Sequence, residues 1–111
     1  MKLNYKLWLE NEEGELVMGQ GLLSMLELID KTGSISQTAQ QLDMSYRAAW
    51  GKLNLVEKRL GLKLTKRKSG GKGGGGSILT KEGKDLLLKF KKFDKRVQKE
   101  LEFLFIDYFD K

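Results

Sequence analysis

The segment from Gly33 to Leu60 constrains the fold of this 111-residue chain most, because its residues mark the ends of two helices. Gly33 is expected to end a preceding helix in the left-handed conformation, and Ser36 to cap the next helix through its hydroxyl. Asp43 lies where a sharp turn needs a residue that tolerates positive φ. Ser45 then caps a second helix. The segment therefore predicts two helices joined by a tight turn, the arrangement of a helix-turn-helix.

The second of these helices carries side chains that are long and polar enough to reach the base edges of DNA. Tyr46, Trp50 and Asn54 recur every four residues and share one face, with Arg47 and Gly51 beside them. Arg47 can form two hydrogen bonds with a guanine, and Asn54 can contact an adenine or a phosphate. Packing against a wing or a partner helix explains Trp50 at least as well as base contact does. Three residues near helix N-termini are expected to hold phosphates: Ser36, Gln37 and Ser45.

The charge distribution also indicates a polyanionic partner. Residues 1–62 carry seven Lys or Arg against eight Asp or Glu, whereas residues 63–111 carry fourteen against seven. The stretch from Lys63 to Lys81 contains six basic residues and no acidic one. A solvated lysine-rich face is a fair interpretation of the C-terminal part, but such local clustering favours contact with DNA.

A glycine-rich run, Gly70 to Gly76, interrupts this basic stretch between two short predicted strands, residues 62–69 and 77–80. It does not match the phosphate-binding loop of nucleotide hydrolases, because Lys72 is followed by Gly73 rather than by Ser or Thr. A flexible linker is one alternative. We expect instead a hairpin wing over residues 62–80 whose tip follows the phosphates. The side chains expected to supply its charge are Arg67, Lys68 and Lys72.

The N-terminal residues predict a second hairpin and a helix. Leu3 to Leu9 alternate between apolar and polar side chains, as in a half-buried strand. The residues Asn11 to Gly14 predict a turn, and Glu15 to Met18 a returning strand, so the hairpin spans residues 3–18. Gln20 to Thr32 then predict a helix with one apolar face. The expected fold is α+β and mainly helical, a winged helix-turn-helix between this hairpin and a long C-terminal helix.

The C-terminal helix is expected to begin after Thr80 and to reach about Tyr108. Its apolar residues recur at spacings of three and four, which is typical of a coiled-coil seam. The residues of the seam are Leu86, Phe90, Phe93, Val97, Leu101, Leu104 and Tyr108. Packing on its own domain is one interpretation. Because the end of the helix is apolar almost all round, we expect a second copy to cover it, with dimer contacts from Phe90 onward along the seam.

Composition argues against an enzyme. The chain has no Cys and no His, so thiol chemistry, the commonest metal ligand and the commonest general base are missing. Glu12, Glu13 and Glu15 form an acidic turn, for which solvation is a better explanation than cation binding. We expect no cofactor and no metal. The start of the chain does not resemble a signal peptide and no apolar run spans a bilayer, so the prediction is a cytoplasmic protein without a membrane partner.

Four motifs together resemble a known family: Gly33-Ser34-Ile35-Ser36, Ser45-Tyr46-Arg47-Ala48-Ala49-Trp50, the glycine-rich run, and Leu79-Thr80-Lys81-Glu82-Gly83. They are similar to the N-terminal DNA-binding domains of ModE-type, molybdate-dependent transcriptional regulators, within the wider LysR-like winged helices. The resemblance covers essentially the whole chain and implies a homodimeric, promoter-binding protein of bacteria or archaea. Full-length members add molybdate-binding domains, and nothing of that kind occurs in these 111 residues, so molybdate sensing is not carried over. Asp43 replaces the glycine usual at the turn.

The expected function is sequence-specific binding of double-stranded DNA by a transcriptional regulator. Residues 1–80 would form the winged helix-turn-helix, and residues 81–111 the dimerisation helix of the same domain. Two alternatives stay open from the sequence. The first is an architectural protein that coats DNA with weak sequence preference, and the second is an adaptor whose C-terminal helix docks a separate sensor protein.

Overall fold

The computed structural model describes residues 1–71 and 74–109, which form four helices and two antiparallel two-stranded sheets. The helices are α1 (Gln20–Thr32), α2 (Ile35–Gln41), α3 (Tyr46–Leu60) and α4 (Lys81–Phe109). The strands are β1 (Leu9–Glu10), β2 (Leu16–Met18), β3 (Thr65–Gly71) and β4 (Gly74–Leu79). Strand β1 pairs with β2, and β3 pairs with β4. The predicted α+β, mainly helical winged helix-turn-helix is confirmed.

The N-terminal hairpin is much shorter than predicted. The turn at residues 11–14 forms as expected, with Asn11 Oδ1 accepting hydrogen bonds from the N–H groups of Glu13 and Glu15. The strand predicted from Leu3 is wrong up to Trp8, because β2 offers only three residues for pairing. The preceding segment is held by α4 instead, where the Tyr5 hydroxyl donates a 3.0 Å hydrogen bond to Asp94. Desolvation, this hydrogen bond and nearby carboxylates raise the pKa of Tyr5.

Local capping residues set the ends of the central helices. Gly33 ends α1 with φ 69°, and Asp43 takes φ 56° in the turn before α3, both as predicted. Helix α2 is capped two residues earlier than predicted, by Ser34 and not by Ser36. The Ser34 hydroxyl accepts a 3.0 Å hydrogen bond from the N–H of Gln37. Ser36 therefore lies within the first turn of α2, exposed to solvent.

The hydrophobic core forms where α1 packs against the helix-turn-helix, the wing base and the start of α4. Its most deeply buried side chains are Met18, Leu22, Met25, Leu26, Ile29, Ala39, Ala49, Leu53, Val56, Leu64 and Phe90. The residues of α3 in this set recur at spacings of four and three, which is the stripe of an amphipathic helix. The core thus fixes the inner face of α3 and leaves its opposite face to solvent.

The wing is a β-hairpin that two backbone contacts attach to the core. Its strands pair from Thr65 opposite Leu79, so the first strand begins three residues later than predicted, and both strands extend further into the glycine-rich run. Ser77 donates its N–H to the carbonyl oxygen of Gly33 at 2.9 Å. Strand β4 approaches that oxygen so closely that a Cβ on Gly76 would collide with it. The wing base is therefore held against the end of α1.

Helix α4 begins on the wing base and ends beyond the core. The Thr80 hydroxyl accepts a 3.0 Å hydrogen bond from the N–H of Gly83, so Thr80 caps the helix as predicted, and it donates a 2.7 Å hydrogen bond to the backbone carbonyl oxygen of Lys63. Phe90 is 2% exposed and belongs to the core of its own chain rather than to an open seam. From Phe93 onward, large apolar side chains are exposed, including Phe103, Leu104, Ile106, Tyr108 and Phe109.

Candidate nucleic-acid interface

The outward face of α3 combines polar and aromatic side chains at the end of the helix nearest the turn. The Ser45 hydroxyl accepts a 3.0 Å hydrogen bond from the N–H of Ala48 and so caps the helix. Arg47, in the first turn, is exposed. Tyr46 and Trp50 are 53% and 49% exposed, which is unusual for side chains of this size. The sequence predicted this shared face correctly.

A groove of about 390 Å³ separates α3 from the wing. Tyr46, Trp50 and Asn54 line it from the helix, and Lys66 and Arg67 from strand β3. Ser77 and Thr80 also border it. The structure thus brings four of the predicted site residues, three from α3 and one from the wing, around a single depression with one aromatic and one basic wall.

The remaining predicted site residues lie outside this groove. Ser36 and Gln37 are exposed in the first turn of α2, and Ser45 precedes α3. Lys68 is exposed on β3 beside Arg67. Lys72 lies outside the described residues, so its contact with DNA stays a prediction. These positions extend the polar and basic surface on either side of α3.

The basic side chains of the wing are free to attract an anionic ligand. Lys66, Arg67 and Lys68 are all exposed, and none forms an ion pair within the ranges 1–71 and 74–109. Arg59, in contrast, is engaged at the far end of α3. It donates a 2.9 Å hydrogen bond to the carbonyl of Leu16 and lies 3.5 Å from a carboxylate oxygen of Glu15. Arg59 therefore anchors α3 to the N-terminal hairpin.

Glu57 connects α3 to the wing. It is not among the site residues predicted from the sequence. Its carboxylate is only 8% exposed, and Oε2 accepts hydrogen bonds from the N–H groups of Leu64 at 2.7 Å and Thr65 at 3.2 Å. Lys63 Nζ lies 3.8 Å from Oε1. The signal in the sequence that could have found it is its position, since an acidic residue seven positions after Trp50 falls on the groove-facing side of α3. Glu57 therefore fixes the first residues of β3 relative to the helix.

Neither a cluster of metal-ligating side chains nor a membrane-spanning helix is found in the part of the chain that the structure describes. It contains no group of three or more Asp, Glu, His or Cys side chains placed to hold a metal ion. None of its helices combines the length and apolar character that crossing a bilayer requires. The acidic turn of Glu12, Glu13 and Glu15 is exposed, and Glu15 faces Arg59.

This geometry coincides with a known sequence family. The profile described as "Bacterial regulatory helix-turn-helix protein, lysR family" matches residues 21–84, which contain α1, the helix-turn-helix, the wing and the start of α4. The chain belongs to this family. The match covers more than half of the chain, and the groove between α3 and the wing lies entirely within it.

Curated relatives of this family confirm the resemblance to ModE-type regulators. The chain is 42% identical over 65 residues to the DNA-binding transcriptional dual regulator ModE of Escherichia coli K12, covering 59% of this chain and 25% of ModE. It is 34% identical over 84 residues to the molybdenum-pterin-binding protein MopB of Rhodobacter capsulatus, covering 76% of this chain and 31% of MopB. The chain therefore spans between a quarter and a third of these relatives.

A solved structure with a similar arrangement supports the fold alone. ArgP from Mycobacterium tuberculosis superposes with a TM-score of 0.51 at 19% identity, covering 72% of this chain and 29% of ArgP. At this identity the similarity supports only the arrangement of the helices and the wing. The roles of the side chains that face the groove are inferred from this chain itself.

Proposed function

We propose that this chain binds double-stranded DNA in a sequence-specific manner as a transcriptional regulator. The observation that carries the proposal is the groove between α3 and the wing, with Tyr46, Trp50 and Asn54 on one wall and the exposed cations Lys66 and Arg67 on the other. Several relatives are transcriptional regulators, and this role comes to the present chain as part of the proposal. The proposed function includes no catalytic activity.

In the proposed complex, α3 enters the major groove and its N-terminal residues reach the base edges. Arg47 donates two hydrogen bonds to a guanine, and Asn54 contacts an adenine or a nearby phosphate. Ser36, Gln37 and Ser45 hold phosphates where backbone N–H groups point outward. Arg67, Lys68 and Lys72 contact the flanking sugar-phosphate backbone of the DNA. Phosphate contacts then position the protein, and base contacts provide the specificity.

We also propose that the protein is a homodimer through α4, with residues 1–80 as the DNA-binding part and residues 81–111 as the dimerisation helix. The supporting feature is the apolar stripe of Phe93, Val97, Leu101, Leu104 and Tyr108, of which Val97 and Leu101 are half-buried and the other three are exposed. Charge along the helix favours antiparallel pairing: residues 81–99 carry eight basic and three acidic side chains, and residues 100–109 carry three acidic and no basic ones. Each acidic end then faces the basic stretch of the other helix.

Selection of genomic DNA fragments with the purified protein at physiological salt tests the proposed function. We expect recovery of an imperfect palindrome with half-sites one helical turn apart, bound about 10³-fold or more tightly than random DNA. Retention without a motif, falling steeply with salt, would instead support the architectural alternative. Failure to retain DNA would contradict both.

A further inference from the structure

Two aromatic side chains of α3 present apolar surface on a face that is otherwise polar. Tyr46 and Trp50 lie one helical turn apart and are each about half exposed. Within the described residues neither ring stacks on another ring or forms a hydrogen bond. A tryptophan of this kind is usually covered, because its exposed surface loses the free energy of burial. The exposed indole of Trp50 is therefore available for contact with a ligand.

The opposite wall of the same groove identifies the chemistry of that ligand. Lys66 and Arg67 are exposed and lie across the groove from Trp50. A ligand that fills the groove must offer negative charge to this wall and an apolar group to the other. One strand of DNA does so when its phosphates meet the cations and a base edge meets the indole.

Among the base edges displayed in the major groove, the C5-methyl of thymine is the apolar group. This methyl projects from the side of the pyrimidine that faces the phosphates of its own strand, so methyl and phosphate lie close enough to meet opposite walls of one narrow groove. We propose that Trp50 recognises a thymine through its methyl group, while Lys66 and Arg67 hold phosphates of the same strand. This inference rests on the proposed function and extends it to a base identity.

Replacement of thymine by deoxyuridine tests the inference, because it removes the methyl and keeps every hydrogen-bonding group of the base. The selected duplex is prepared with each thymine of one half-site replaced in turn, and the Kd of the full chain is measured by fluorescence anisotropy. We expect one position at which replacement weakens binding about fourfold, the value of one buried methyl group. In Trp50→Ala this difference should disappear, and in Trp50→Phe it should persist.

Arg47→Ala provides the matched control, since it lies on the same helix and should retain the response to deoxyuridine. The inference is overturned if no thymine is sensitive to replacement, or if Trp50→Ala responds as strongly as the unaltered protein. In either case, continued preference for the selected motif would leave the proposed function standing. Absence of any motif in the selection would overturn both, so the two failures are distinguishable.

Discussion

Glu57 is the residue on which the geometry of the interface depends most. In Glu57→Ala, the N–H groups of Leu64 and Thr65 lose their acceptor at a buried position. We expect the free energy of unfolding to fall by about 1–3 kcal/mol, measured by urea denaturation. Glu57→Gln keeps one acceptor oxygen and should lose less. Glu13→Ala, at an exposed carboxylate, is the control, and an equal loss there would exclude a special role for Glu57.

Arg47 and Lys68 should differ in how their removal affects DNA binding, although both are exposed cations. Arg47→Ala should cost about 1–3 kcal/mol of binding free energy and relax the preference at one base position. Lys68→Ala should weaken binding to all sequences alike and lower the slope of log K against log salt by about one unit. Titrations of a panel of single-base variants at several salt concentrations measure both. Uniform loss with Arg47→Ala would contradict base recognition.

At the scale of the elements, two glycines in helices should respond in opposite ways to the same substitution. A Cβ on Gly83 would collide with the backbone carbonyl of Leu64, where α4 meets the wing base, whereas a Cβ on Gly51 meets no atom within 4 Å. Gly83→Ala should destabilise the protein by about 1–3 kcal/mol despite the better helix propensity of Ala. Gly51→Ala should stabilise it by up to about 1 kcal/mol. Thermal and urea unfolding compare the two, and equal effects would contradict the close approach.

Elements whose ends depend on local chemistry could be predicted from the sequence. The C-terminal end of α1, the turn at Asp43 and the cap of α3 all follow from one residue acting on its neighbours. The prediction failed where the choice was between similar residues, as at Ser34 and Ser36, or where pairing needs a distant partner. Leu3 alternates like a strand, but whether it pairs depends on the length of β2 and on Asp94 of α4.

The candidate site, like the fold, was predictable where a local pattern determines it and not where distant segments must meet. Periodicity along one helix places Tyr46, Trp50 and Asn54 on a common face without knowledge of the fold. Their approach to Arg67 and the buried position of Glu57 depend on how the wing folds back on α3. The distance between Arg67 and α3 is set by packing of the wing base against Gly33 and α4, which no local pattern in the sequence specifies.

At the scale of the whole molecule, the extension of α4 beyond the core dominates the shape, which measures 60 × 29 × 24 Å. A 29-residue helix is about 44 Å long, so its distal half has little of its own chain to pack against. Exposed apolar side chains over such a length are costly in water and favour association. In the proposed dimer, this helix also sets the distance between the two copies of α3.

Replacing Phe93 and Leu101 together by Asp should therefore convert the protein to a monomer. Their loss removes four apolar side chains from a symmetric interface, so self-association should weaken more than about a hundredfold. Sedimentation equilibrium measures this, with Leu55→Asp, an exposed leucine of α3, as the control. The monomer should also bind a two-half-site duplex no more tightly than a single half-site. If the double variant stays dimeric with unchanged affinity, α4 is not the dimer interface, and another surface must position the two copies of α3 on DNA.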